Sequence, residues 1–273
     1  MGATASAEEE VIGGVRTQRI PVSRSSWRTR KNFVLAKWQK REQQSQAFGV
    51  VRHAERADSV YGLYQGARWT QTEDFHKYPM DPPLSDVGLE AAFEETAQRI
   101  AKFSVENNAR IAIVVTSPYF RCVQTAVEVC RALGPGVRLL IDNSLGEVYG
   151  PAVMGEREPI SPTRPMDQIV YYCKSRGVKC ISKVIGRWPE WPEDLQAARR
   201  RYADRFLTFL QRSTVAKRNF VLVTHGDCVG ATVTMMPSQG GSKLEKVEYG
   251  GMFLAKRKDQ RANSKGSNSA GDR

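Results

Sequence analysis

Phe48-Gly49-Val50-Val51-Arg52-His53-Ala54-Glu55-Arg56 is the stretch on which the fold prediction rests. Its apolar run ends abruptly in Arg-His, and a second arginine follows three residues after the histidine. An apolar run that stops at charged residues predicts a buried strand that ends at a functional site. The stretch Phe220-Val221-Leu222-Val223-Thr224-His225-Gly226 repeats the design far downstream. Because the carboxyl ends of parallel strands open on one edge of an α/β sheet, we expect both histidines in one pocket.

The histidines also have an ordinary structural interpretation. A single histidine after a strand is more often a turn residue or a satisfied core group than a catalytic one. Two histidines in this position, one of them flanked by Arg52 and Arg56, favour the functional interpretation. The third histidine of the chain, His76, follows no apolar run, and we interpret it as an ordinary loop residue.

Strand-like and helix-like stretches alternate along the rest of the chain. Strands are predicted at the remaining apolar runs, over 110–116, 137–141 and 247–256, the last of them at a sheet edge. Helices are predicted from the N-cap Ser85, from the N-cap Ser117 with Pro118 as first helical residue, and over 193–212. This alternation predicts the fold class α/β, as a three-layer α/β/α sandwich around a mostly parallel sheet.

Two segments lack a regular period and are expected to line the mouth of the pocket. Residues 57–84 are rich in aromatic residues and contain three prolines. Residues 142–192 are rich in Pro and Gly, with one short helix near 166–176. Long loops in compact domains tend to be functional. Their Tyr and Trp side chains would suit an aromatic or hydrophobic leaving group, as in phosphotyrosine or the phosphate of a lipid alcohol.

The basic residues of the chain concentrate at its ends. The chain has 273 residues and a formal net charge of +12. Residues 1–46 hold nine Lys/Arg against four Asp/Glu, and residues 255–273 hold six against two. The body lacks the basic stripe of a nucleic-acid-binding protein, so no nucleic acid partner is expected. We predict a basic, largely disordered tail over 1–46, one domain over 47–257 and a disordered polar tail over 258–273.

The first residues fit a lipidation pattern. Met1 to Ser6 places Gly after the initiator and a hydroxyl residue at six, which makes Gly2 a candidate for N-myristoylation. From Val11 to Arg41 there are nine basic residues and no acidic one, and such a patch is a usual second signal for binding anionic membranes. The alternative is a disordered basic tail with an accidental Gly2. The expected location is cytoplasmic, with membrane association if Gly2 is acylated.

The composition excludes several other classes of protein. The longest aliphatic run, Ile111 to Val115, is far shorter than the roughly 18 residues of a membrane span. The five cysteines are odd in number and unclustered, which indicates reduced thiols and no zinc site. No Cys is followed by Arg six residues later, which excludes a cysteine-phosphatase mechanism.

The residue types at the predicted sheet edge suit phosphoryl transfer. A neutral imidazole is a good nucleophile toward phosphorus and can carry the phosphoryl group. Guanidinium groups match the charge on its equatorial oxygens, and Arg52, Arg56 and Arg121 all follow the carboxyl ends of strands. Glu147, just after the 137–141 strand, is the best-placed acid for the leaving oxygen. Neither a metal nor another cofactor is expected.

Four stretches resemble, in order, the motifs of the histidine phosphatase superfamily, which has the phosphoglycerate-mutase-like fold. Residues 52–56 are similar to its Arg-His-Gly-Glu-Arg signature, and Ser117-Pro118-Tyr119-Phe120-Arg121-Cys122-Val123-Gln124-Thr125-Ala126 is similar to its second arginine motif. Leu145-Gly146-Glu147 lies at the position of the acid, and Thr224-His225-Gly226 at that of the second histidine. The second motif most resembles the branch of the Sts phosphatases (suppressors of T-cell receptor signalling) and ecdysteroid-phosphate phosphatase. The resemblance covers about 47–255.

The resemblance implies a phosphomonoesterase with a role for each site residue. His53 would be phosphorylated, and Glu147 would protonate the leaving group. The phosphate would be bound by Arg52, Arg56, Arg121 and His225. Ala54 stands where the family has Gly, which tolerates positive φ and close approach better, so the pocket geometry is in question at this position.

Two alternative functions remain open at this stage. One is a phosphoglycerate-mutase-type phosphotransferase. The signature of such mutases resembles Arg-His-Gly-Glu-Ser, however, and its final Ser is replaced by Arg56 in this chain. The other is a weakly active phosphate-binding module tethered to a membrane. The substrate is a phosphomonoester that the sequence does not identify: phosphotyrosine, a small-molecule phosphate or a lipid-alcohol phosphate.

Overall fold

The computed structural model describes residues 46–236 and 246–257, together with the backbone of a short strand near the N terminus. Its strands are β1 (Ala7–Glu10), β2 (Ala47–Arg52), β3 (Ile111–Thr116), β4 (Arg138–Ile141), β5 (Asn219–Thr224) and β6 (Met252–Arg257). They form one sheet in the order β1-β6-β2-β5-β3-β4. The four strands β2, β5, β3 and β4 are parallel, whereas β6 and β1 are added antiparallel. Gly2 and most of the two predicted tails lie outside the described residues.

Helices cover both faces of this sheet. They are α1 (Glu73–Lys77), α2 (Asp86–Ala91), α3 (Gln98–Glu106), α4 (Phe120–Leu133), α5 (Pro151–Met154), α6 (Met166–Ser175), α7 (Leu195–Ala216) and α8 (Gly226–Met235). A π-helical segment, Ala92–Ala97, joins α2 to α3, and 3-10 turns lie at Trp69–Gln71 and Asn143–Leu145. No helix among the described residues is long and apolar enough to cross a membrane.

The strands divide their side chains between two apolar layers. In β5, Val221 and Val223 belong to the cluster under α3, α4 and α6, whereas Phe220 and Leu222 belong to the cluster under α7 and α8. Alternate residues of a strand point to opposite faces, so continuous apolar runs are what a sheet covered on both faces requires. The predicted three-layer sandwich around a mostly parallel sheet is confirmed.

The start of α2 agrees with the sequence prediction, but the start of α4 does not. Ser85 is the N-cap of α2, and its Oγ accepts a hydrogen bond from the Gly88 amide at 2.9 Å. Helix α4 begins at Phe120 rather than at Pro118, and Ser117 does not cap it. Instead, the Phe120 amide donates to Asp81 Oδ1 at 2.8 Å. A distant carboxylate therefore satisfies the first turn of α4, and the Ser117 hydroxyl is left for another partner.

Two further predictions need correction. The strand predicted over 247–256 is β6, which begins only at Met252 because a turn closed by the Gly251 amide and the Glu248 carbonyl precedes it. It is also not at the edge of the sheet, since β1 pairs with its outer side. Residues 57–84 are not wholly irregular, because they contain α1 and a 3-10 turn.

Candidate active site

The two histidines that follow β2 and β5 lie side by side. Arg52 is opposite Thr224 in the parallel register, and the His53 amide donates to the Thr224 carbonyl at 2.9 Å. The next residue on each strand is a histidine, so both rings emerge at the same edge of the sheet. The ring centroids of His53 and His225 are 5.5 Å apart, and each side chain is about 1% exposed.

The contacts of His53 fix which ring nitrogen carries the lone pair. Its Nδ1 lies 2.8 Å from the Ala54 carbonyl oxygen, which can only accept, so Nδ1 carries the hydrogen. Its Nε2 lies 3.3 Å from the Arg121 Nε donor. Burial, reinforced by Arg121 and His225, lowers the pKa of His53 well below its usual range. The ring is therefore neutral, with a lone pair on Nε2, which is the form a nucleophile needs.

Arg121, in the first turn of α4, joins the polar groups of the site. Its side chain is 2% exposed. Its Nη2 lies 3.2 Å from Glu147 Oε2 and 3.4 Å from His225 Nδ1, and its Nη1 lies 3.9 Å from Asp81 Oδ1. Among the described residues, this buried Nη1 has no hydrogen-bond partner. A buried donor without a partner is costly, and an anionic oxygen would satisfy it.

Arg52 and Arg56 approach the pocket from the end of β2. The guanidinium of Arg52 lies 4.2 Å from the centroid of the Tyr249 ring, and its Nη1 donates to the Val247 carbonyl. Its Nε is a second buried donor without a partner among the described residues. Arg56 is more exposed, at 30%, and forms a two-pronged pair with Asp58 at 2.7 and 2.5 Å. Arg52 therefore lies deep in the pocket, and Arg56 at its entrance.

Glu147 is held beside the second histidine. Its Oε2 lies 3.0 Å from His225 Nδ1, and the carbonyl just before it, of Gly146, accepts from the Tyr202 hydroxyl at 2.8 Å. Burial alone would raise the pKa of Glu147, but His225, Arg121 and His53 together hold it well below its usual range. With these partners the carboxyl is ionised.

The second histidine, His225, contacts Ser117, which the sequence analysis interprets as a helix cap. Its Nε2 lies 2.9 Å from the Ser117 hydroxyl, and its ring packs edge-on against Tyr119 at 5.3 Å. Burial lowers the pKa of His225 to about 4, against the influence of Glu147. The neutral ring therefore donates from Nδ1 to Glu147 and accepts from Ser117 at Nε2. The interpretation of Ser117 as a helix cap is wrong, and only the three-dimensional contact reveals its role.

Ala54 does not distort the pocket. The non-glycine residues with positive φ in the described part of the chain are Gln65, Asn108 and Lys217. The backbone at Ala54 therefore has no need of glycine. Its side chain is 2% exposed and packs in a small cluster with Leu84 and Ala92.

A cleft of about 710 Å3 opens over these residues, and its lining differs from the prediction. Arg52, His53 and Glu147 lie at its base, and Arg56 lies at its entrance. Most of its wall comes from α7 and α8, with Lys246 and Val247, and no aromatic residue of 57–84 or 142–192 lines it. The expectation of an aromatic mouth is therefore wrong. The reason is packing: Trp188 and Trp191 pack edge-on against Tyr149, with ring centroids 5.7 and 5.4 Å apart.

Two other features complete the description of the site. His76 lies on α1, exposed and outside the cleft, although in a short helix rather than a loop. No three or more His, Cys, Asp or Glu side chains of the described residues are placed to hold a metal ion. Asp81 is a site residue that sequence reasoning missed, because a carboxylate after a Tyr-Pro-Met stretch has no pattern that indicates burial.

Comparisons with known proteins identify the family and the fold of the chain. The family model described as histidine phosphatase superfamily (branch 1) matches residues 48–250. No curated protein matches the chain. Ecdysone phosphate phosphatase from Bombix mori, solved in complex with tungstate, is a similar structure, with a TM-score of 0.55 and 18% identity over 77% of this chain and 88% of that chain. That similarity shows the shared fold.

Two further solved structures are more distantly similar. A mycobacterial glucosyl-3-phosphoglycerate phosphatase has a TM-score of 0.46 and 16% identity over 77% of this chain and 90% of that chain. Phosphoglycerate mutase from Bacillus anthracis str. Sterne has a TM-score of 0.47 and 14% identity over 76% of this chain and 86% of that chain.

Proposed function

Because the chain belongs to the histidine phosphatase superfamily, we propose that it hydrolyses phosphomonoesters through a phosphohistidine on His53. The observation that carries this proposal is the state of His53, a neutral ring with its Nε2 lone pair beside Arg121. Two buried guanidinium N–H groups without partners among the described residues, on Arg52 and Arg121, lie next to it. A phosphoryl group at this place would receive both donors while its phosphorus faced Nε2.

In the first step, His53 Nε2 forms a bond to phosphorus and the bond from phosphorus to the ester oxygen breaks. Charge on the three equatorial oxygens is met by Arg52, Arg56 and Arg121, so we propose that no metal ion is required. The electron pair of the broken bond stays on the leaving oxygen. That oxygen takes a proton, and Glu147, whose carboxyl group lies 3.0 Å from His225, is the proposed donor.

The ionised state of Glu147 has to change before it can donate that proton. A phosphoryl dianion beside it adds negative charge and draws the donors of Arg121 and His225 toward the phosphate oxygens. Both effects raise the pKa of Glu147, because they weaken the interactions that favour its charged form. Substrate binding therefore causes Glu147 to take up a proton, which it then donates to the leaving oxygen.

In the second step, water attacks the phosphohistidine and the bond from phosphorus to Nε2 breaks. Glu147, now a carboxylate, accepts the proton of the attacking water. Inorganic phosphate leaves, and His53 returns to its neutral form with the hydrogen still on Nδ1. One carboxyl group therefore acts as acid in the first step and as base in the second.

Plain hydrolysis is favoured over the mutase reaction by Arg56. It lies at the entrance, paired with Asp58, in the position where the mutase signature has serine. Addition of 2,3-bisphosphoglycerate with phosphoglycerate separates the two activities, because only a mutase would interconvert the phosphoglycerates. A turnover assay on 4-nitrophenyl phosphate separates either enzyme from a phosphate-binding module.

The test of the covalent mechanism is His53→Ala. The variant should lose turnover, and the acid-labile, base-stable phosphoenzyme trapped from radiolabelled substrate should disappear. His76→Ala, at an exposed position outside the cleft, is the matched control and should keep both. If His53→Ala retains a tenth of the wild-type rate, the mechanism proposed here is wrong.

A further inference from the structure

One face of α7 and one face of α8 form the walls of the cleft beyond the phosphate pocket. The cleft-lining residues recur at intervals of three and four along each helix: Gln196, Arg199, Arg200 and Ala203 on α7, and Asp227, Gly230, Ala231 and Thr234 on α8. This spacing puts each set on a single helical face. The two faces therefore both border the space where a leaving group would lie.

The middle of this space is kept open by small residues. Ala203, Gly230 and Ala231 carry one side-chain carbon or none. A Cβ added at Gly230 would meet no atom within 4 Å. The cleft thus has room for the body of a leaving group, and no Phe, Tyr or Trp is among its lining residues.

The charges around this space are unbalanced. The lining contains the cations Arg52, Arg56, Arg199, Arg200 and Lys246 against the carboxylates of Glu147 and Asp227. Arg199 is paired with Asp227 at 3.1 Å, and Lys246 is paired with Glu248 at 3.0 Å. Arg200 is exposed and has no carboxylate within 4.0 Å among the described residues. A phosphoryl dianion would be met by the arginines at the base, so positive charge remains at the mouth.

Three cations at the mouth, Arg199, Arg200 and Lys246, lie on or contact the elements that build the phosphate pocket. Lys246 directly precedes Val247, whose carbonyl receives the Arg52 guanidinium. Arg199 pairs with Asp227, two residues after His225. Arg200 is the next residue on the same cleft-facing side of α7. A second negative group on a substrate would therefore meet these cations while its phosphate lies at His53.

We infer that the substrate is a small-molecule phosphomonoester whose leaving group carries a second anionic group, a carboxylate or a phosphate, bound at the mouth by Arg200 with Lys246. This inference rests on the proposed phosphatase function. It differs from the aromatic or lipid-alcohol leaving groups that the sequence suggested, because the cleft lining contains no Phe, Tyr or Trp and has more cations than carboxylates.

The experiment compares matched pairs of substrates that differ only in the second charge. Propyl phosphate is paired with 3-phosphooxypropanoate, and hexyl phosphate with 6-phosphooxyhexanoate, so that two spacer lengths are sampled. The measured quantity is the ratio of kcat/KM for the anionic member to that for the neutral member. An exposed ion pair contributes up to about 1 kcal/mol, so the ratio should reach about fivefold for at least one spacer at low salt. It should fall as salt is raised.

Variants assign the preference to the mouth. Arg200→Gln should lower the ratio, and the double variant Arg200→Gln/Lys246→Gln should bring it to one or below. Arg212→Gln is the matched control, because Arg212 is exposed near the far end of the same helix and does not line the cleft. Its ratio should equal that of the wild type.

Three outcomes would overturn the inference. The ratio could be one or less in the wild type while 4-nitrophenyl phosphate is turned over. The preference could survive in the double variant. A phosphotyrosine peptide could be hydrolysed faster than every small-molecule anion. Absence of turnover on all substrates, 4-nitrophenyl phosphate included, would instead contradict the proposed function itself.

Discussion

The buried carboxylate of Asp81 allows a direct test of how the site residues are held in place. The side chain is 0% exposed, and each of its oxygens accepts a backbone amide, from Phe120 at 2.8 Å and from Arg164 at 3.0 Å. It also lies between two guanidinium groups, with Arg121 at 3.9 Å and Arg164 at 3.8 Å. Asp81 thereby ties the first turn of α4, which carries Arg121, to the segment before α6. The perturbation is Asp81→Asn, which keeps the shape and removes the titrating group.

The magnitude follows from the pKa of Asp81. Burial raises this pKa from 3.8 to about 6, although Arg121 and Arg164 act in the opposite direction. Below pH 3.8 the carboxyl is protonated in both the folded and the unfolded chain. Between pH 3.8 and about 6, the unfolded chain has lost this proton while the folded chain still holds it, so the free energy of unfolding falls as pH rises. A tenfold difference in proton affinity between the two states corresponds to about 1.4 kcal/mol, so the loss is about 3 kcal/mol.

The assay is urea unfolding of the wild type and Asp81→Asn at intervals from pH 4 to pH 7. Other titrating groups, including His53 and His225, contribute to both proteins, so the difference between them isolates Asp81. The destabilisation caused by Asp81→Asn should shrink by up to about 3 kcal/mol as pH rises. Asp204→Asn, on the exposed surface of α7, is the control and should give a flat difference. A flat or growing difference for Asp81→Asn would refute the reasoning.

Four further outcomes are expected. Glu147→Gln should slow esters with poor leaving groups far more than 4-nitrophenyl phosphate, and equal loss on both would move the acid role to another residue. EDTA should leave turnover unchanged, whereas a chelator-sensitive enzyme restored by Mg²⁺ would contradict charge neutralisation by arginine alone. Gly88→Ala places a Cβ 2.2 Å from the Glu55 carbonyl oxygen, and should lower the free energy of unfolding by about 1–3 kcal/mol in denaturant titrations. Acylated protein should float with anionic liposomes in a salt-dependent way, and Gly2→Ala should not. Absence of an acyl mass on Gly2 would contradict the lipidation hypothesis.

The parts of the structure that the sequence predicted are those encoded by neighbouring residues. Apolar runs of five or six residues indicate strands, and the residue after each run is then placed at the sheet edge whatever the rest of the chain does. That reasoning brought His53, His225 and Arg121 to one pocket, and the structure has them in contact. The family model covers the same part of the chain.

The parts that the sequence did not predict depend on contacts between distant residues. Asp81 caps α4 from 39 residues away, and no local pattern distinguishes it from a surface aspartate. The aromatic residues of 142–192 are predicted at the mouth, but none of them lines the cleft, and Trp188 packs against Tyr119 and Tyr149 instead. The wall comes instead from α7, whose amphipathic pattern indicates which face is apolar but not what lies opposite its polar face. The lipidation of Gly2 stays a prediction.

The pairing of β2 with β5 has a consequence for how the protein is made. Partner residues in these two strands are 172 positions apart, and the pairing aligns the two histidines. A ribosome that adds about 5–20 residues each second delivers β5 roughly ten to thirty seconds after β2. During that interval the first histidine has neither its neighbour nor the carboxylate contact that the neighbour provides. A chain that stalls, or is cut before β5, therefore cannot bring the two histidines together, so incomplete products lack the site to which we assign the activity.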